Sequence, residues 1–191
     1  MKIKIGFFTV MLALSLVISR SLFMLIALSA ALLHELGHIL MAKACRIRLT
    51  SCKIGLYGAG LMPEGAFYSY TREIFLCAAG PLTNLLCGSI GLHIYRICAS
   101  ELLLWFVFSS FVLGFLNLLP IHGFDGGRIF SALLCRFISQ RASNISIHIS
   151  SFIFLFILWS FSVYLLLRAG ASLSLFIFSL SVFIRIFMPE G

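Results

Sequence analysis

Charges and helix breakers divide the 191-residue chain into six apolar runs, at residues 5–19, 21–42, 74–95, 102–121, 145–167 and 169–184. Most approach the roughly 20 residues that a helix needs to cross the hydrocarbon core of a bilayer. The first and last are shorter. Runs one and two cannot be one helix, because the 38 residues from 5 to 42 would extend about 57 Å, so a turn is expected at Arg20. A cleaved leader competes for residues 5–19, since Lys2 and Lys4 precede an apolar stretch. No small-x-small cleavage site follows and another apolar run begins at once, which predicts an uncleaved first span. Pro81 after Gly80 predicts a break or kink in the third run. Residues 50–70 are neither a span nor a charged loop. They predict short extended pieces with bends at Gly55, Gly58 and Gly60.

Composition supports spans over a soluble core. Hydrophobic residues make up 61% of the chain and charged ones 10%, whereas a soluble domain is about half apolar and a quarter charged. Disorder, a coiled coil and a secreted disulfide scaffold are excluded. The expectation is a single membrane-embedded domain over residues 1–191, an all-α polytopic membrane protein of about six transmembrane helices. With the N-terminus inside, eleven of the fourteen basic residues fall on the cytosolic side and only Arg20, Arg96 and Arg168 fall outside. Basic excess on cytoplasmic loops sets orientation, so both termini are expected in the cytosol. The net charge of +8 is thus a topology signal. No basic face on a soluble domain exists, so no nucleic-acid partner is expected. The six cysteines contain no C-x-x-C pair and read as small, reduced, buried side chains.

Only six acids occur: Glu35, Glu64, Glu73, Glu101, Asp125 and Glu190. One lies in His34-Glu35-Leu36-Gly37-His38, near the cytosolic end of run two. Helical positions i and i+4 share a face, so both imidazoles can reach one cation, and Glu35 can take a proton from a water held there. That is the H-E-x-x-H arrangement of zinc proteases. Ionisable groups inside a span are costly and read as functional by default. A catalytic zinc uses three protein ligands, and Asp125, Glu64, Glu73 and His122 are candidates for the third. Asp125, the sole aspartate, sits at the cytosolic end of run four. It would serve as a ligand, as the N-cap of a helix over residues 126–138, or as both. Glu64 and Glu73 read as solvated surface charge, and His122 as a partner of the ligands or as merely interfacial.

Three motifs together resemble the site-2 proteases, the intramembrane zinc metalloproteases of regulated intramembrane proteolysis. They are His34-Glu35-Leu36-Gly37-His38, then Ala79-Gly80-Pro81-Leu82-Thr83-Asn84, then Asn117 through Gly127 in the pattern N-x-x-P-x-x-x-x-D-G-G. The resemblance implies a three-helix catalytic core over about residues 21–138, with additional spans at about 5–19, 145–167 and 169–184. It implies one zinc held by His34, His38 and Asp125, with Glu35 as general base. Asn84 and Asn117 are implied to orient substrate or stabilise the oxyanion. Read from the residue alone, Asn84 fits a helix–helix hydrogen bond equally well. The resemblance also implies a short re-entrant β-hairpin within residues 50–70, beside the zinc, whose edge could hold an unwound substrate.

No PDZ or C-terminal sensing domain is expected, and the chain most resembles the compact bacterial branch with six spans. Its sporulation members cleave a membrane-bound sigma-factor precursor. The implied partners are therefore the lipid bilayer and a single-span or membrane-associated protein substrate. A metal transporter or a non-catalytic scaffold could use the same His/Asp cluster, but neither needs Glu35. A membrane-embedded zincin attacking soluble peptides would need an open cytosolic mouth.

Overall fold

A computed structural model describes residues 2–5, 22–46, 49–55, 58–63, 69–169, 180, 182–184 and 186. The described residues include the helices α1 (Leu22–Ala44), α2 (Tyr70–Cys98), α3 (Glu101–Leu118), α4 (Asp125–Leu134) and α5 (Gln140–Ala169). The strands among the described residues are β1 (Lys2–Ile5), β2 (Leu49–Gly55) and β3 (Gly58–Pro63). Among the described residues, α1, α2, α3 and residues Gln140–Arg168 of α5 are long and apolar enough to cross a membrane. They correspond to apolar runs two to five. The first run, residues 5–19, and most of the sixth, residues 169–184, lie outside the described residues. The fourth span ends at Leu118 instead of residue 121, two residues before Pro120, which cannot continue a helix.

The chain divides into two compact units, Met1–Asn117 and Leu118–Gly191. In the first, β2 and β3 pair antiparallel, with Lys53 opposite Gly60 and Gly55 opposite Gly58. The register shifts between Leu49 and Ser51, so one extra residue sits on β2 as a bulge. β1 pairs parallel to β2, Ile3 opposite Cys52, giving the order β1-β2-β3. The alternation Lys-Ile-Lys-Ile has the two-residue period of a strand, a signal in what otherwise reads as a charged N-terminal tail.

The first unit's helices invert the soluble pattern. Most buried positions are small or polar, Ala30, His34, Gly37, His38 and Ala42 on α1 and Ser110 and Gly114 on α3, with Leu76 on α2 and Val107 on α3 as larger apolar exceptions. Large apolar side chains point outward, with Leu32 and Leu86 each 62% exposed. In lipid, apolar side chains gain nothing by turning inward, and small residues let helix backbones approach. The α2–α3 seam follows this rule. A Cβ on Gly91 would lie 2.9 Å from Val107, and one on Gly114 would lie 3.1 Å from Leu85. Phe23 and Trp105 meet edge to face at 5.0 Å between ring centroids, joining the N-terminal parts of α1 and α3.

α2 contradicts the expected break. It runs unbroken for 29 residues with Pro81 inside it. Proline removes a single intrahelical donor, and such a loss is tolerated at membrane depth where neighbouring groups cover the freed backbone. Helix ends are set by backbone in the left-handed region: Ala99 at φ 46 caps α2 with its N–H on the Tyr95 carbonyl at 2.8 Å.

In the second unit, residues 118–124 lead into α4. Two adjacent serines on α5 hold this loop: Ser150 Oγ donates to the Pro120 carbonyl at 2.8 Å, and Ser151 Oγ accepts from the His122 N–H at 2.7 Å. Asp125 is the first residue of α4 and not its N-cap. Phe124 occupies the cap position, with no side-chain cap bond. The glycines that follow explain why the loop can fold back so closely. A Cβ on Gly126 would collide with the Leu118 backbone, and one on Gly127 with the Ile121 carbonyl.

Candidate metal centre

The first unit brings His34, His38 and Asn84 together. On α1 the two imidazoles stand one helical turn apart, and both are 6% exposed. Their Nε2 atoms lie 3.2 Å apart, with ring planes at 78°. Two zinc–nitrogen bonds of about 2.0–2.1 Å meeting at a roughly tetrahedral angle would place their nitrogens about 3.3 Å apart. The pair is therefore spaced for one shared cation.

The facing stripe of α2 decides what each ring can do. Leu76, Gly80 and Asn84 are four residues apart and lie on one face. The Leu76 carbonyl is 2.7 Å from His38 Nδ1. A carbonyl only accepts, so Nδ1 carries the proton and His38 Nε2 presents its lone pair. Asn84, fully buried, has its side-chain amide nitrogen 3.3 Å from His34 Nδ1. Between them Gly80 leaves room for both rings: a Cβ there would lie 2.7 Å from His38 Cε1 and 2.8 Å from His34 Nε2. Gly37 does the same from α1, since a Cβ there would lie 2.7 Å from the Ala79 carbonyl. Thr83 Oγ donates to that same carbonyl at 2.7 Å. The pairings 38 with 76 and 34 with 84 make α1 and α2 antiparallel.

Glu35 lies half-buried on the turn between the two histidines. Asn117, at the end of α3, donates its amide to the Leu113 carbonyl of its own helix at 3.0 Å. Asp125 belongs to the second unit, half-buried in the first turn of α4. Glu73 falls in the first turn of α2, where an acid is favoured by the helix dipole. Glu64 lies outside the described residues. His122 is exposed and stacks on His148 at 5.4 Å. Sequence reasoning missed Leu76, whose contribution is a backbone carbonyl, and the steric role of Gly80. The four-residue spacing of 76, 80 and 84 was the available signal.

The model of peptidase family M50 matches residues 22–98 and 92–158. The chain belongs to peptidase family M50, the site-2 protease family. It is 29% identical over 118 residues to a Mycobacterium tuberculosis protein described as the zinc metalloprotease Rip3, in strains Erdman and H37Rv. That match spans 57% of this chain and 30% of the relative's length. The fold is similar to that of a site-2 protease from Methanocaldococcus jannaschii, with a TM-score of 0.65 and 22% identity. This likeness covers 99% of the chain and 90% of the solved structure.

Proposed function

We propose that the chain is a zinc-dependent intramembrane endopeptidase that hydrolyses peptide bonds of membrane-associated proteins near the cytosolic face. The observation that carries this reading is the pair of Nε2 atoms 3.2 Å apart on one helix face, with a carboxylate on the turn between them. In this reading His34, His38 and Asp125 would supply two imidazoles and one carboxylate, a donor set that suits catalytic zinc and leaves one position open. Bound zinc supplies a Lewis acid for the scissile carbonyl and lowers the pKa of water toward about 7. Glu35 accepts the proton lost by the attacking water and returns it to the leaving amine. Asn117 stands as a donor to the developing oxyanion or to the substrate backbone.

A helical substrate hides its carbonyl carbons within its own hydrogen-bond ladder, so the scissile segment must be extended. β3 is an edge strand of the sheet among the described residues, and strand addition there would hold such a segment. Membrane re-entry of that hairpin, six spans and cytosolic termini belong to the same reading. So does a membrane-bound transcription-factor or sigma-factor precursor as the substrate class.

Glu35→Gln separates this reading from a metal transporter. Purified variant and wild type should carry equal zinc, while cleavage of a single-span substrate falls by about 100-fold or more. Unchanged cleavage by the variant overturns the mechanism.

A further inference from the structure

Asn84 is fully buried in the helix seam, and its Oδ1 has no hydrogen-bond partner. Its Nδ2 faces His34 Nδ1 at 3.3 Å. Amide nitrogen and oxygen are nearly isosteric, so their assignment follows from the network they serve. Two networks fit these positions.

In the first, Asn84 Nδ2 donates to His34 Nδ1. The His34 proton then lies on Nε2 and points at His38 Nε2, which is an acceptor because His38 Nδ1 donates to Leu76. The two rings close on each other, no lone pair is left for a cation, and Asn84 Oδ1 stays orphaned. In the second, the amide is turned over. Oδ1 accepts from His34 Nδ1–H, the orphan is satisfied, and both Nε2 lone pairs face the same point. Only the second network lets both histidines act as ligands.

We infer that Asn84 is a positioning residue for the metal centre, whose Oδ1 holds His34 in the tautomer that presents Nε2 to zinc. The inference rests on the proposal that His34 is a zinc ligand. It assigns the Asn84 amide to the far side of the His34 ring instead of to the oxyanion. The two histidines are thus fixed by different means: His38 by a backbone carbonyl that no substitution removes, His34 by a side chain that can turn. Interconversion needs only an amide flip and a proton shift between the His34 nitrogens, so zinc loading and Asn84 orientation are coupled.

The test is zinc affinity, measured by chelator competition on the purified full-length chain, for wild type and for His34→Ala, Asn84→Leu and Asn84→Asp. Leu keeps the approximate volume and removes the acceptor, whereas Asp offers only acceptors. Asn84→Leu should weaken zinc binding by about 10- to 100-fold, the usual effect of losing a partner of a ligating histidine. Asn84→Asp should bind at least as tightly as wild type. Wild-type affinity in Asn84→Leu overturns the inference, since an amide acting on substrate or oxyanion leaves zinc affinity untouched. So does an Asn84→Asp protein that loses zinc, and this variant decides alone if Asn84→Leu does not fold. His34→Ala separates the two levels: if it retains wild-type affinity, the metal-site reading itself falls.

Discussion

Individual side chains here carry either chemistry or structure, and Asp125 is where the two can be told apart. As an N-cap it would contribute about 0.5–2 kcal/mol to its helix. The cap position is Phe124, however, and Asp125 lies inside the first turn. Its structural share there is the favourable placement of a negative charge near a helix N-terminus, about 0.3–1 kcal/mol. Asp125→Asn should therefore lower zinc occupancy markedly while moving the metal-free melting temperature little. Metal analysis together with thermal unfolding of the metal-free protein checks both halves. A large loss of metal-free stability with full zinc occupancy would return Asp125 to a capping role.

Between elements, the decisive quantity is the space at the α1–α2 seam. Gly80 and Gly88 both lie on α2, and in each an added methyl would improve helix propensity by up to about 1 kcal/mol. Their surroundings differ. At Gly88 the nearest atoms are the Phe111 ring carbons at 3.4 Å, an ordinary contact. At Gly80 they are the ring atoms of both histidines, below 3 Å. Gly80→Ala should thus reduce zinc affinity by about tenfold or more by displacing the rings, while Gly88→Ala leaves it unchanged. Chelator titration of the two variants reads the difference, and equal affinities would show that the rings can yield.

The same seam shows how far the sequence could be read. The i and i+4 spacing placed His34 and His38 on one face, because helical periodicity is local. What lay across from them was not local. Leu76 contributes through a carbonyl that every residue has, so nothing in its identity marked it. Gly80-Pro81 read as a site of breakage or kinking because local propensity ignores neighbours, yet α2 continues through it without a break. The Lys-Ile-Lys-Ile strand was hidden for the same reason, since its partner Ser51–Ile54 lies about fifty residues away.

For the whole molecule the open quantity is which way the chain crosses the bilayer, and native cysteines report it. If the excess of basic residues sets the orientation, the Ala44 end of α1 would lie in the cytosol and the Cys98 end of α2 outside. α1 and α2 are antiparallel, so the His38 end of the pair lies toward the same face as Cys45. His38 is seven residues from Cys45, about 10 Å along a helix, so in a hydrocarbon core roughly 30 Å thick it would lie in the half nearer Cys45. Cys98 is exposed and Cys45 half-buried, and each sits at a helix end where a thiol reagent can arrive from water. In intact cells a membrane-impermeant maleimide should label a variant that retains only Cys98. A variant that retains only Cys45 should be labelled after permeabilisation alone. The reverse pattern would put the histidine pair near the outer face, and substrates would then have to be cut on the side opposite the cytosol. The cytosolic pattern would make release of a soluble fragment into the cytosol the direct consequence of where two histidines sit on one helix.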